Sequence, residues 1–203
     1  MILSSLRKMI AAAAFGCLVA VSPALADSPE KATAFIQELG GKAISTITDQ
    51  SIGREQRMET FRTLLNKNFD VPGIGRFVLG RYWRTATPEQ QAQYLKLFED
   101  SIVRTYAARF EEYSGEQLAV DNARPDGERF MLVDSKIQRP AGSPVAVTWR
   151  LFPENGSFKI VDVIVEGVSM SVTQRSDYSS VIQSGGGNVD ALLKAMRERL
   201  DRV

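Results

Sequence analysis

The sequence contains no histidine and only one cysteine, Cys17, among its 203 residues. The lack of histidine excludes a Ser-His-Asp or Cys-His catalytic site, together with the usual ligand sets for zinc and copper. Cys17 lies in an apolar N-terminal segment of the kind that is removed during export. The exported chain then has no disulfide and no reactive thiol. We predict no catalytic residue, no metal site and no cofactor.

An excess of charge of either sign is also absent, since 25 Lys and Arg residues are balanced by 24 Asp and Glu residues. The basic residues are interleaved with acidic ones and do not gather in a patch. A nucleic-acid-binding surface needs such a patch for its phosphate contacts. The composition therefore predicts no nucleic-acid partner.

Long hydrophobic runs are scarce, and the main one, residues 9–21, is short for a membrane span of about 20 residues. It follows Arg7 and Lys8, and it precedes Pro23-Ala24-Leu25-Ala26, which ends in an Ala-x-Ala cleavage pattern. A basic start, an apolar middle and a small-residue end are typical of a secretory signal peptide. We predict that residues 1–26 are this signal.

Cleavage at that point leaves residues 27–203 as one exported domain, which is long enough to bury a real core. A membrane anchor is the alternative that the short apolar run disfavours. A lipoprotein processed at Cys17 is disfavoured because Ala14-Phe15-Gly16 matches the lipoprotein signal poorly.

The longest predicted helix begins at Thr87-Pro88-Glu89-Gln90. Thr87 and Gln90 have the spacing of a capping box, and proline suits the first helical position. Apolar residues then recur at spacings of three and four, which predicts one amphipathic helix over 88–113. Its apolar stripe consists of Tyr94, Leu95, Phe98, Ile102, Tyr106, Phe110 and Tyr113.

Shorter helices flank it on both sides. The apolar periodicity predicts a first helix capped by Asp27 or Ser28, and a second one after Gly53. Pro72 and two glycines are expected to break the apolar segment 71–79 into short helical pieces. Closing helices are predicted over 176–183 and 188–201.

Four short runs rich in β-branched and aromatic residues follow the long helix, with turn-forming residues between them. Such short connections predict an antiparallel meander. The predicted fold class is therefore α+β, in which N-terminal helices and one long central helix pack on a four-stranded antiparallel sheet, followed by closing helices. The predicted strands cover residues 117–123, 129–138, 145–152 and 158–166.

The amount of apolar surface predicts a hollow interior. Several amphipathic helices face one small sheet. The third predicted strand carries Val145, Val147, Trp149 and Leu151 on one face, and the fourth carries Val161, Val163 and Val165 on one face. A large apolar cavity between helices and sheet accommodates this surplus. A solid core is the simpler alternative.

Two other features have the residue types of a chemical site. Asp162 and Glu166 lie four residues apart on one strand, and such a pair can do acid–base work. Since no nucleophile accompanies them, we favour a structural role in which Asp162 binds an arginine or a backbone amide. The glycine run 185–187 is interpreted as a loop, because it lacks the flanking pattern of a phosphate-binding loop.

Several distinctive segments follow one another along the exported chain. They are Phe69-Asp70-Val71-Pro72-Gly73-Ile74-Gly75-Arg76, Leu79-Gly80-Arg81-Tyr82-Trp83, Thr87-Pro88-Glu89-Gln90-Gln91, Lys159-Ile160-Val161-Asp162-Val163-Ile164-Val165-Glu166-Gly167-Val168-Ser169-Met170, Gln174-Arg175 and Ser176-Asp177-Tyr178. In this order and combination they resemble signatures of the MlaC family, the toluene-tolerance auxiliary proteins of lipid ABC transporters.

The resemblance implies a soluble periplasmic carrier, expected to be a monomer, that holds one phospholipid as cargo with its acyl tails between helices and sheet. It further implies shuttling between an outer-membrane Mla lipoprotein complex and the inner-membrane Mla ABC transporter complex, which maintains outer-membrane lipid asymmetry. Related carriers with hopanoid cargo share the signature. A small periplasmic cavity enzyme using Asp, Tyr or Arg and an adaptor without a ligand are the alternatives from other classes.

We predict that eleven residues line the tail cavity and that two lie near its mouth. The lining residues are Ile74, Phe77, Val78, Phe98, Ile102, Tyr106, Val133, Val147, Trp149, Val161 and Val163, and the mouth residues are Val168 and Met170. Arg81 and Arg84 flank an aromatic turn, where they are candidates to contact the lipid phosphate or a partner. The alternative for them is a solvated pair of surface arginines.

Overall fold

A computed structural model describes residues 28–49, 51–108 and 112–202. The predicted signal peptide, Asp27 and Phe110 lie outside these residues. In chain order the elements are α1 (Pro29–Thr48), α2 (Arg54–Asn68), α3 (Val71–Leu79), a 3₁₀ helix (Gly80–Arg84), α4 (Pro88–Ala108), β1 (Gln117–Asp126), β2 (Phe130–Gln138), β3 (Val145–Glu154), β4 (Ser157–Val165), β5 (Val168–Ser169), α5 (Met170–Ser184) and α6 (Val189–Leu200). This arrangement confirms the predicted α+β class.

The helix starts follow from local capping. Ser28 accepts a hydrogen bond from the backbone N–H of Lys31 at 3.3 Å and caps α1. At the start of α4 the predicted capping box forms, because the Gln90 N–H donates to Thr87 Oγ1 at 3.2 Å and the Thr87 N–H donates to Gln90 Oε1 at 2.9 Å. The two exchanged bonds satisfy backbone donors that the first turn leaves without partners.

The predicted end of the long helix at residue 113 is wrong. The structure describes α4 as far as Ala108, and Tyr113 lies beyond it in a tight turn. The Ser114 N–H donates to the Glu116 carboxylate at 2.9 Å, and Gly115 has a φ of 104°. A side chain that captures a backbone N–H and a glycine in a left-handed conformation both favour a turn over a helix.

The strands form an antiparallel meander in the order β1-β2-β3-β4-β5. The predicted sheet had four strands, and the structure adds β5, which pairs Val168 with Val165 through a tight hairpin. The turns before β4 and before β5 each have positive φ at two consecutive residues, Asn155-Gly156 and Glu166-Gly167. This conformation matches the twist of the flanking strands, and it requires glycine or a tolerant residue.

The two faces of the sheet differ in chemistry. One face is covered by α1 and forms a core that includes Ile36, Val133, Leu151 and Ile160, each at most 1% exposed. The opposite face carries ion pairs across the strands. They join Arg124 to Asp134, Lys136 to Asp121 at 2.9 Å, and Arg150 to Asp126 at 2.8 Å.

A second core joins the remaining helices. Tyr94 of α4 is fully buried and stacks on Phe98 with ring centroids 5.7 Å apart, while Tyr178 of α5 meets it edge-on at 6.2 Å. The two cores meet at Phe69, which packs against both and makes a bridge to Ile160 of β4. This bridge fixes the start of α3 at the outer edge of β4.

The glycine run predicted as a loop contains one position where a side chain does not fit. Gly185 caps α5, and a Cβ placed on it would overlap the Cβ of Ala191 in α6. We expect Gly185→Ala to lower the free energy of unfolding by about 1–3 kcal/mol through overpacking. Gly41→Ala is the matched control, since nothing lies near that position in α1, and it should stabilise by about 0.5–1 kcal/mol.

Chemical denaturation of both variants checks this pair. Equal effects of the two substitutions would contradict the close α5–α6 contact.

Candidate functional site

A cavity of about 380 Å³ opens between α3, the start of α5 and the face of the sheet opposite α1. Its volume is near the lower end of ordinary ligand pockets, which span about 300–1,000 Å³. The lining is mainly apolar and aromatic, with a few charged groups. It is formed by Asp70, Gly73, Ile74, Phe77, Phe130, Arg150, Phe152, Val161, Asp162, Ser171 and Val172.

The helical wall of the cavity is set by the start of α3. The Asp70 N–H donates to the carbonyl oxygen of Ile160 at 3.0 Å, and the Asp70 carboxylate accepts from the Gly73 N–H at 3.0 Å. The first bond ties the chain to β4 and the second caps the helix. Ile74 and Phe77, three residues apart, then share the helix face that lines the cavity.

The segment 71–79 is therefore one helix, which corrects the prediction of short broken pieces. Its proline occupies the first turn, where no intrahelical N–H bond is lost. Gly75 is needed because α3 crosses α4 closely, and a Cβ there would lie 2.9 Å from Leu95 Cδ2. Tyr94 Oη donates to the Gly75 carbonyl oxygen at 2.9 Å across the same crossing.

A β-bulge shapes the sheet side of the cavity. Arg150 pairs with Asp162, whereas the next residue of β3, Leu151, pairs with Ile160, so Val161 has no partner in the ladder. A bulge lets two consecutive residues turn toward the same region. Val161 and Asp162 accordingly both line the cavity.

The bulge corrects the prediction that Val161, Val163 and Val165 share one face. Val163 pairs with Trp149 on the face covered by α1, and Val165 follows it there. Val161 lies in the cavity on the other side.

Asp162 acts as a structural anchor between β4 and α5. Its Oδ1 accepts from the N–H groups of Val163 at 2.9 Å and Ser171 at 3.1 Å, and its Oδ2 accepts from Ser169 Oγ at 2.6 Å. Glu166 accepts from the Ala146 N–H at 2.6 Å instead. Both carboxylates are thus committed to holding backbone groups, which supports the structural interpretation over acid–base work.

The rim of the cavity exposes large apolar side chains. Phe77 is 43% exposed, Phe152 is 38% exposed and Val172 is 55% exposed, and all three line the cavity. The Arg175 guanidinium lies over the Phe77 ring, 5.1 Å from its centroid. Exposed apolar side chains that are contiguous around a cavity mark a binding surface more often than an inert one.

The structure separates the predicted lipid-contacting residues into groups. Ile74, Phe77 and Val161 line the cavity, and Val78, Phe98 and Ile102 belong to the helical core. The residues that lie on the sheet face covered by α1 are Val133, Val147, Trp149 and Val163. Tyr106 and Val168 are about half exposed, Met170 is half-buried at the start of α5, and none of these three lines the cavity. Lipid contact by any of the thirteen stays a prediction.

The sequence reasoning missed the sheet residues of the cavity. Phe130, Arg150 and Phe152 lie on the face opposite the valine-rich one, and that alternation is readable in β3. The sequence pattern assigns the more apolar face to the ligand, whereas in the structure α1 covers that face.

Arg81 and Arg84 do not line the cavity. Arg81 stacks on the neighbouring Tyr82 ring, 4.9 Å from its centroid, and donates to its hydroxyl at 2.9 Å. Arg84 is exposed. Contact of either arginine with a phosphate or a partner stays a prediction.

The described residues contain neither a cluster of metal ligands nor a membrane-spanning helix. In residues 28–49, 51–108 and 112–202 no three His, Cys, Asp or Glu side chains are placed to hold a metal ion together. Over the same part of the chain, every helix falls short of the length and apolarity that crossing a membrane requires.

The chain matches a protein family and is similar to several known proteins. The family described as MlaC protein matches residues 37–198. Toluene tolerance protein ttg2D of Pseudomonas putida is 26% identical over 133 residues, which cover 65% of this chain and 62% of that protein, less than two thirds of its length. The intermembrane phospholipid transport system binding protein MlaC of Haemophilus influenzae is 23% identical over 171 residues, which cover 80% of this chain and 79% of that protein.

A solved structure shares the fold. The phospholipid-binding protein from Ralstonia solanacearum, solved in complex with a phospholipid, superposes with a TM-score of 0.72 at 24% identity. The superposition covers 86% of this chain and 98% of that protein. The family match over residues 37–198 includes both walls of the cavity, from α3 to β4. The chain therefore belongs to the MlaC family.

Proposed function

We propose that this protein is a periplasmic carrier that binds one phospholipid by its acyl tails. The observation that carries the proposal is the apolar cavity between α3, α5 and the sheet, with exposed Phe77, Phe152 and Val172 at its rim. The names of the relatives support it, since one is a binding protein of a phospholipid transport system and another was solved with a phospholipid.

The energetics explain what a carrier contributes. A diacyl lipid has about thirty chain methylenes, and at about 0.8 kcal/mol each their transfer into water costs about 24 kcal/mol. A protein cavity lowers this barrier by replacing water with side chains. Bound tails gain that free energy without specific hydrogen bonds, which suits a lining made mostly of apolar atoms.

The size of the cavity adds a condition to the proposal. Two acyl tails need a volume near the upper end of ordinary pockets, about 1,000 Å³, whereas the cavity holds about 380 Å³. Binding both tails therefore requires α3 or the start of α5 to move away from the sheet. Binding gains most of the free energy of transferring the tails out of water only when both tails enter the cavity.

The transport route is a further part of the proposal. We propose that the exported protein collects its lipid at one membrane and releases it at the other, between an outer-membrane Mla lipoprotein complex and the inner-membrane Mla ABC transporter. This movement would maintain outer-membrane lipid asymmetry. A role as a carrier instead of an enzyme is supported by the commitment of Asp162 and Glu166 to backbone groups.

Native mass spectrometry of the protein purified from the periplasm without detergent tests the proposal. We expect a complex heavier than the processed chain by one diacyl phospholipid, and organic extraction should release that lipid. The mass of the extract distinguishes a phospholipid from a hopanoid. Protein that is isolated empty and also fails to load from phospholipid vesicles would overturn the carrier function.

A further inference from the structure

A second cavity adjoins the apolar one at the β1–β2 turn. It holds about 320 Å³, and the two cavities share Phe130 and Arg150 as a common wall. The remaining lining of the second cavity is Asp126, Gly127, Glu128 and Arg129. A half-open, mainly apolar pocket thus adjoins a more open surface pocket that is lined by four charged side chains, two of each sign.

The shared wall is built around the Phe130 ring. The Arg150 guanidinium carbon lies 4.1 Å from the ring centroid, and that of Arg129 lies 5.8 Å from it. Cation–π contacts of this kind hold both arginines beside the ring. Two guanidinium groups are therefore gathered where the apolar cavity meets the charged one.

The hydrogen-bonding capacity of these arginines is largely unused. Arg150 Nε is buried and lies 2.8 Å from Asp126 Oδ2, but its N–H does not point at that oxygen, so the contact is an ion pair without a hydrogen bond. Within residues 28–49, 51–108 and 112–202, Arg129 and Glu128 have no ion pair. Their charges are available to a ligand.

The balance of charge indicates which ligand fits. Guanidinium groups offer paired N–H donors that suit phosphate oxygens, and carboxylates accept from an ammonium group. A phosphate without a cation of its own would be attracted by the arginines but repelled by Asp126 and Glu128. A headgroup that carries both charges satisfies all four side chains.

Building on the proposed lipid-carrier function, we propose that the second cavity is a headgroup subsite for zwitterionic phospholipids of the ethanolamine type. The phosphate lies against Arg150 and Arg129 at the shared wall, and the ammonium lies against Asp126 and Glu128. The tails occupy the adjoining apolar cavity. The subsite selects cargo by headgroup charge.

Competitive loading tests this selection. Delipidated protein is incubated with vesicles that contain equal amounts of dioleoyl phosphatidylethanolamine and dioleoyl phosphatidylglycerol, re-isolated, and analysed by mass spectrometry of the extracted lipid. Since the two lipids have identical tails, the ratio of their bound amounts depends on the headgroup alone. We expect the ethanolamine lipid to exceed the glycerol lipid about tenfold, the size of effect that one well-placed charge contact produces.

Glu128→Gln is the decisive variant, because it removes one carboxylate from an exposed turn. We expect the ratio to fall about threefold, because loading of the ethanolamine lipid weakens while the glycerol lipid loses no contact. Glu154→Gln is the matched control, an exposed carboxylate at the end of β3 that does not line either cavity. It should keep the wild-type ratio. Arg129→Gln should instead lower loading with both lipids.

The outcomes separate the two proposals. Loading with both lipids at a ratio near one, or a ratio that Glu128→Gln leaves unchanged, would overturn the headgroup subsite while the carrier function stands. Failure to load either lipid would overturn the carrier function and the subsite with it.

Discussion

The Val172→Asp variant should bind lipid at least about tenfold more weakly than the wild type while remaining folded. Val172 lines the apolar cavity and is 55% exposed at its rim, so the folded protein tolerates a carboxylate there. The position lies in the first turn of α5, where the helix dipole stabilises a negative charge. A bound acyl chain would desolvate that carboxylate, which costs at least about 1.4 kcal/mol, equivalent to tenfold in affinity.

Val168→Asp is the matched control for this experiment. It makes the same substitution at a residue that is 53% exposed and only four positions away, but Val168 does not line the cavity. Titration of delipidated protein with a fluorescent diacyl lipid measures both variants. Equal losses in the two would contradict the location of the tail site between α3 and α5.

A stronger version of the same test uses Phe77→Asp. The Phe77 ring faces the cavity from α3, so its loss removes apolar contact as well as adding charge. Its 43% exposure indicates that folding does not depend on it. Far-ultraviolet circular dichroism and a denaturation midpoint near the wild-type value would show that lost binding is not lost structure.

Features determined by neighbouring residues could be predicted from the sequence. The Thr87–Gln90 capping box and the Ser28 cap depend on side chains that reach only three residues along the chain. The four long strands were also recognisable, because turn residues such as Asn155-Gly156 separate runs of β-branched residues. These signals are local, and so they are visible in a single sequence.

The assignment of residues to the cavity depended on a feature that is not local. Alternation in β4 indicated that Val161 and Val163 share a face, and the bulge opposite Arg150 separates them. No residue in the segment marks a bulge, since its origin is the pairing with β3 and the anchoring of Asp162 to Ser171 in α5. Tertiary contacts therefore decided which valine reaches the cavity.

The sequence also predicts the wrong sheet face for the ligand, and this error has a physical reason. Val133 and Val147 are 0% and 3% exposed because α1 covers the more apolar face. The cavity uses the other face, where Phe130 and Phe152 stand among ion-paired residues. A substitution such as Val147→Asp would bury a charge in a packed core and unfold the protein, so it does not report on lipid binding.

Alkaline pH should destabilise the fold through two buried tyrosines. Burial raises the pKa of Tyr94 far above 10, with a smaller contribution from Tyr178, and burial raises the pKa of Tyr178 to about 12. Arg199 opposes the second shift and Asp177 adds to it. Because an unfolded tyrosine ionises near pH 10, the folded state retains protons that the unfolded state releases.

The sign of the effect follows from this difference in bound protons. Stability from each tyrosine is fully present below pH 10 and is lost as the pH rises toward the folded-state pKa. The loss approaches about 1.4 kcal/mol per pH unit for each residue, so Tyr178 alone accounts for about 2–3 kcal/mol by pH 12. Tyr94 adds a similar amount, and the sum of about 5 kcal/mol is comparable to the whole stability of many domains.

Replacing each tyrosine by phenylalanine isolates its contribution. Tyr178→Phe removes one ionisable group, so its free energy of unfolding should fall less steeply, by about 1.4 kcal/mol per pH unit, between pH 10 and 12. Tyr94→Phe should do the same but start about 1 kcal/mol lower at pH 7, because it loses the hydrogen bond to Gly75. Tyr106→Phe, at a 48% exposed position, is the control. Urea denaturation at each pH measures all four proteins, and a Tyr178→Phe profile parallel to that of Tyr106→Phe would contradict the buried-tyrosine origin of the loss.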